Sequence, residues 1–173
     1  ALNAGGVTIH SLFQLPFGAF SPAADLYDLK SVNIEIRTLN QLTKEIVKIG
    51  SEKRNLIRRM ELLIIDEVSM LRADVLDAID TVLRHIRRRK NDVFGGVQVL
   101  FIGDMLQLPP IVKDDEWDYL KHFYKSLFFF DALAFNTQKP ILIELDKIYR
   151  QKDQVFIDIL NNVRNNIFNS IDI

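Results

Sequence analysis

The sequence predicts a three-layer α/β domain on a mostly parallel sheet, and three observations predict it. Short apolar runs recur at 60–65 (MELLII), 97–102 (VQVLFI) and 141–145 (ILIEL). Helix-period patterns alternate with them, and polar or glycine-bearing residues follow the first two at the point where a strand would leave its sheet. Strand, helix and strand over 60–102 make a βαβ unit, whose crossover is right-handed and whose strands run parallel. At 173 residues, 48% hydrophobic and 26% charged, the chain has the size and composition of one domain around a single core.

Each element has its own signal. Thr8 suits a helix N-cap ahead of Ile9, Leu12 and Phe13. Residues 17–35 are the least periodic part and read as a surface excursion, while 39–49 and 52–60 read as helical. MELLII is long enough for a buried strand and too short for a helix, so it is expected to be a central parallel strand. From Leu71, the apolar positions Val75, Ile79, Val82 and Ile86 recur at helical spacing, with Leu76 and Leu83 widening the stripe. That helix is expected to close by Asn91 and the Gly95-Gly96 turn. VQVLFI stops at Gly103, and the prolines Pro109 and Pro110 stiffen the loop beyond it. The ring-rich stretch Trp117, Tyr119, Phe123, Tyr124, Phe128, Phe129 and Phe130 serves either a core or a base-stacking platform. ILIEL reads as a third strand, and Phe156, Ile159, Leu160, Val163 and Ile167 as a last helix with Asp153 as N-cap.

Composition narrows the function classes. The chain has no cysteine, which excludes disulfides and thiolate metal sites. Its longest apolar runs fall well short of the ~20 residues a membrane span needs, and its opening residues lack the positive start of a secretory signal, so a cytoplasmic location is expected. A net charge of -1 supplies no global attraction for nucleic acid, and any such contact must be local. The basic run Arg84, Arg87, Arg88, Arg89 and Lys90 offers two readings: cations suited to a helix C-terminus, or a phosphate-contacting patch.

In open parallel sheets, ligands bind beyond the carboxyl ends of the strands. Asp66 and Glu67 stand directly after LLII. There one carboxylate can hold Mg²⁺ on a nucleoside triphosphate and its neighbour can polarise the attacking water, or both can favour a helix N-terminus. Gly103, Asp104 and Gln107 follow VQVLFI. Glycine allows close backbone approach, and a Gln amide can accept from a water and donate to a phosphate; the same Gly-Asp pair also makes ordinary turns. Arg150 lies beyond ILIEL, where a guanidinium can reach a transferring phosphoryl group or simply be surface charge.

Taken together, LLIIDEVSML, FGGVQVLFIGDMLQLPPI and LDKIYRQKDQVF resemble, in order and spacing, motifs two, three and four of superfamily-one helicases. ALNAGGVTIHSLFQLP resembles motif one-a of the same superfamily, and the segment through Phe94-Gly95-Gly96 resembles the signature of the petite integration frequency helicases, relatives of RecD. The resemblance implies a RecA-like phosphate-loop NTPase motor domain over 1–173, working with ATP, Mg²⁺ and single-stranded DNA, with 5′-to-3′ unwinding by the full-length parent. It implies that Asp66 coordinates Mg²⁺, that Glu67 activates water and that Asp104 belongs to the nucleotide set. It also implies that Gln107 senses the γ-phosphate and that Arg150 reaches it. Thr8, His10, Ser11 and Phe13 become single-strand contacts, although a capped helix with buried Ile9, Leu12 and Phe13 explains the same residues.

One departure from the family pattern bears on activity. No glycine here is followed by Lys, so the phosphate loop and first strand are expected upstream of Ala1 and a second motor domain beyond Ile173. The 173-residue polypeptide alone is therefore expected to bind ATP weakly and not to unwind DNA. The alternative is a non-catalytic, helicase-derived module that binds DNA or protein.

Overall fold

The structure, a computed structural model, describes residues 5–23, 35–147, 149 and 152–167, without the side chain of Val47. It divides into two compact units, residues 1–139 and 140–173.

The first unit is built around a parallel strand pair and one central helix. Strands β1 (Ala19–Ser21) and β2 (Ile36–Thr38) pair in parallel, Ala19 with Ile36 and Ser21 with Thr38. The expectation of a surface excursion over 17–35 is corrected here, because Ala19, Phe20 and Ser21 are all buried. Three residues are too few to show a period, so the strand left no signal; residues 24–34 of that stretch lie outside the described residues. Strands β3 (Leu62–Ile65) and β4 (Gln98–Phe101) form a second parallel pair, with Leu62 opposite Gln98 and Ile65 opposite Phe101. The helix between them gives the expected βαβ unit.

Helix α1 (Ile9–Phe13) opens on Thr8, whose hydroxyl accepts the Ser11 amide. Helix α2 (Leu39–Glu45) opens on a capping box, in which Thr38 accepts the Gln41 amide and the Gln41 side chain accepts the Thr38 amide. A 3₁₀ turn, Ile46–Lys48, leads to α3 (Ser51–Arg59), so 39–49 and 52–60 are helical nearly as predicted. The central helix α4 (Ala73–Arg87) has Leu76, Ala78, Ile79, Val82 and Leu83 fully buried. Its apolar stripe faces the core, and buried Asp74, Asp77 and Asp80 show that it is covered beyond that stripe as well. It stops at Arg88, whose left-handed conformation turns its amide back onto the Arg84 and His85 carbonyls. The predicted glycine stop is thus not used; Gly95 and Gly96 form the next turn instead.

Period-two alternation in β3 puts Leu63 and Ile65 in the core and leaves Leu62 and Ile64 at 47% and 55% exposure. Among the described residues β3 pairs on one edge, with β4. The chain continues through helix α5 (Asp114–Leu120), whose first turn carries Asp114, Asp115 and Glu116 where the helix dipole favours anions. The ring-rich stretch is largely core: Tyr124 and Phe129 are buried, and Phe129 stacks on Phe101 at 5.1 Å and 26°.

In the second unit, 141–145 forms no strand, and Ile141, Leu142, Ile143 and Leu145 are 77–91% exposed. An apolar run becomes a strand only where a neighbouring edge accepts its backbone hydrogen bonds, and no such ladder joins it among the described residues. Helix α6 (Gln154–Arg164) opens as predicted on Asp153, whose carboxylate accepts the Val155 and Phe156 amides.

Candidate nucleotide and nucleic-acid site

The carboxyl ends of β3 and β4 bring two sequence-distant segments together through backbone contacts. Beyond the last strand pair, the Ile102 amide donates to the Ile65 carbonyl at 2.9 Å, and the Val68 amide donates to the Ile102 carbonyl at 3.0 Å. Asp66 and Glu67 are therefore held against the segment that begins at Gly103. A β-carbon at Gly103 would sit 2.8 Å from the Val68 amide nitrogen and 3.0 Å from its Cγ1. Only glycine lets the two strand exits approach this closely.

Asp66 and Glu67 are both exposed, and the Asp66 Oδ1 accepts the Glu67 amide at 2.9 Å. Glu67 itself has φ 54 and ψ 45, a left-handed conformation that a non-glycine residue adopts at a cost of about 1–2 kcal/mol. The turn Val68–Met70 follows, closed by the Met70 amide on the Glu67 carbonyl at 3.2 Å. On the opposite segment, Asp104 makes an Asx turn. Its Oδ1 accepts the Leu106 amide at 3.1 Å, and its carbonyl accepts the Gln107 amide at 3.0 Å. Gln107 is exposed beyond that turn, and buried Pro110 anchors the exit of the loop. Arg150 lies outside the described residues.

At the amino end, Thr8 and Ser11 are exposed, and the Lys53 ammonium donates to the Ser11 carbonyl at 2.5 Å. His10 is half-buried. Burial, reinforced by the nearby Arg72 cation and only partly opposed by Asp74, lowers its pKa, so the ring is neutral at neutral pH. Phe13 is 1% exposed and belongs to the core, which corrects its assignment as a DNA contact: a ring packed on all sides has no face for a base. The capped-helix reading holds for that residue.

Sequence reasoning missed three buried acids that tie surrounding segments to α4. Asp74, Asp77 and Asp80 lie at helical spacing of three on α4, all buried, and each accepts backbone amides from a different segment. Asp74 accepts the Phe20 amide at 2.9 Å, tying β1 to the helix, and pairs with Arg72 at 2.7 Å. Arg72 also reaches Glu116 at 3.0 Å. Asp77 accepts from Leu133 N at 3.0 Å, Ala134 N at 2.9 Å and the Tyr124 hydroxyl at 2.8 Å. Burial outweighs these bonds and pushes the Asp77 pKa up to about 6. Asp80 accepts the Phe94 amide and pairs with Arg84 at 2.7 Å. Three acids on one flank of an apolar helix were the available signal, since such a face would otherwise be apolar.

The Phe94-Gly95-Gly96 segment is a tight turn in which all three residues have positive φ. A β-carbon on Gly95 would lie 2.7 Å from the Leu83 carbonyl oxygen. The Arg87 Nε donates to the Gly95 carbonyl at 2.8 Å, and Phe94 packs edge-on against Phe101 and Phe135. The turn thus seals the end of α4 onto β4, which delivers Gly103 to the site.

The comparisons with known proteins agree with this geometry. The PIF1-like helicase family model matches residues 1–172. The chain is 39% identical over 141 residues to the ATP-dependent DNA helicase RRM3 of Saccharomyces cerevisiae, covering 80% of this chain and 18% of that protein. It is 34% identical over 165 residues to the ATP-dependent DNA helicase PIF1 of the same species, covering 95% and 16%. Among solved structures it resembles Bacteroides Pif1 bound to single-stranded DNA, at 43% identity and a TM-score of 0.82, covering 99% of this chain and 36% of that one. The Bacteroides Pif1 complex with ADP-AlF3 and single-stranded DNA gives the same identity and TM-score, over 99% and 35%. The chain thus spans under a fifth of the curated relatives' length. Two pairs of parallel strands around a core helix, a left-handed acid at one strand exit and a family match from end to end lead to one conclusion: the chain belongs to the PIF1-like helicase family.

Proposed function

We propose that the chain is the part of the first motor domain of an ATP-dependent DNA helicase that runs from motif one-a to motif four, and that the β3–β4 strand exits hold the triphosphate. In this reading Asp66 binds Mg²⁺, Glu67 orients and deprotonates the attacking water, and Gln107, backed by the Asp104 turn, senses the γ-phosphate. Arg150 reaches the same phosphate by its place in the sequence alone. Thr8, His10 and Ser11 contact single-stranded DNA. The observation that carries the reading is the apposition of Asp66-Glu67 to Gly103-Asp104, with Glu67 held in a strained conformation at the strand exit.

The donor set suits the metal. Among the described residues no three His, Asp or Glu side chains gather as a metal cage, and Mg²⁺ on a nucleotide takes one or two carboxylates with phosphates and water as its other ligands. When bound, the ion would neutralise charge that develops on the phosphate oxygens. Glu67 would take the proton, and the Asp66 carboxylate would fix the ion beside it.

The test is Glu67→Gln in the full-length polypeptide that carries this chain. ATP turnover stimulated by single-stranded DNA should fall by orders of magnitude while nucleotide affinity stays near the parent value, because the amide keeps the shape and loses the base. An unchanged turnover would remove Glu67 from the reaction. Full turnover loss together with loss of folding would require Glu67→Asp as the second variant, which keeps the charge and should retain partial activity. A parent that binds oligonucleotide without any turnover would favour the binding module.

A further inference from the structure

An exposed aromatic face stands beside the amino-terminal segment, on a residue that the motifs do not assign. Phe17 is 80% exposed, and its ring stacks on His10 with centroids 5.5 Å apart and planes 19° from parallel. A single exposed Phe is ordinary on a protein surface. This one is held. The Arg37 guanidinium donates to the Phe17 carbonyl at 2.8 Å, and the Ala19 amide donates to the Glu35 carbonyl at 3.1 Å. Gly18 between them has φ +108, and a β-carbon there would collide with the Glu35 backbone. The chain therefore turns so that the Phe17 ring lies against His10 on one side and faces water on the other.

We propose that the Phe17 ring, backed by His10, is a stacking platform for one base of single-stranded DNA. The inference rests on the reading of this segment as a DNA contact and deepens it by naming the group that meets the base. The chemistry is complete in outline: a fixed π-face with a neutral imidazole behind it. Arg37, which also pairs with Glu45 at 3.9 Å, holds the Phe17 carbonyl and Lys53 holds the Ser11 carbonyl, so both cations fix the segment that carries the ring. Thr8 and Ser11 add exposed hydroxyls on the same short helix. Stacking is sequence-tolerant, since every base has a π-face, so the platform would take any base.

The test is the affinity of the full-length polypeptide for fluorescein-labelled dT15 and for an abasic oligonucleotide of equal length, by anisotropy at fixed salt. Phe17→Ala should weaken dT15 binding by about 5- to 100-fold and leave abasic binding unchanged. Phe17→Trp should restore it. Equal dT15 affinity for parent and Phe17→Ala overturns the platform while leaving the broader DNA contact standing, provided Thr8→Ala with Ser11→Ala weakens both oligonucleotides. If that double variant also binds like the parent, or the parent binds neither oligonucleotide, the reading of the whole segment fails with it. An equal loss for dT15 and the abasic strand in Phe17→Ala would mean the residue acts on the backbone rather than on a base, and would equally overturn the proposal.

Discussion

Asp77→Asn should change how the stability of this chain depends on pH, in a direction fixed by the burial of that carboxyl. The folded pKa is raised from 3.8 to about 6, mainly by desolvation. Between those two values the folded state binds the proton and the unfolded state does not, so stability falls as pH rises through the window. The shift corresponds to about 3 kcal/mol of destabilisation once both states are ionised, and about 1 kcal/mol of it is relieved between pH 7 and pH 5. An Asn keeps one acceptor oxygen, for either the Leu133 or the Ala134 amide, and turns its NH2 toward the other; that loss does not vary with pH, and the side chain carries no titrating charge. The difference in unfolding free energy, parent minus Asp77→Asn, should therefore move by about 1 kcal/mol in the parent's favour on going from pH 7 to pH 5. Urea titrations of both proteins at the two pH values measure it, with other groups cancelling in the difference. A difference that is flat in pH, or that moves against the parent on acidification, would show that the three hydrogen bonds dominate burial and that Asp77 is an ordinary or depressed carboxylate.

Gly103→Ala should destabilise the chain by about 1–3 kcal/mol, because the new methyl meets the Val68 backbone rather than a movable side chain. Denaturant midpoints read the loss, and in the full-length polypeptide ATP turnover should fall further than the lost stability accounts for; unchanged stability would mean that the strand exits can part freely. The 173-residue chain alone, which contains no Gly-Lys step, should show no ATP turnover above background in a coupled assay. Turnover by that chain that Glu67→Gln abolishes would show that the triphosphate is held elsewhere.

The βαβ unit was legible because its signals are long and local. Fifteen residues of helix repeat the apolar spacing from Ala73 to Arg87, and the strands around it are short runs closed by Asp66 and by Gly103. Strand β1 was not legible, since three residues cannot show a period and its partner lies 17 positions away at Ile36. The run at 141–145 failed in the opposite direction: its letters favour a strand, but a strand needs a neighbouring edge, and letters do not report edges. The site divides the same way. Asp66, Glu67, Asp104 and Gln107 are nominated as candidates by their place after apolar runs, whereas Phe13 was misassigned because its motif position and its core position coincide.

The basic run shows why one class of residue stays ambiguous to sequence reading. Arg84, Arg87, Arg88, Arg89 and Lys90 are as suited to phosphate as to a helix end. In the fold, Arg84 pairs with Asp80 one turn away on α4, a pairing a helical wheel can anticipate, and Arg89 pairs with Asp92 in the turn beyond the helix. Arg87 is different. Its Nη1 donates to the carbonyls of Arg58 at 2.8 Å and Met60 at 2.7 Å, and its Nε donates to that of Gly95 at 2.8 Å. A guanidinium that bridges backbone carbonyls at the end of α3 and in the Gly95 turn is a structural clamp joining both to α4. Every residue carries a carbonyl, so no letter in the sequence marks these acceptors. Charge that is satisfied by the backbone is therefore invisible until the chain is folded, and a count of cations overstates what remains for DNA.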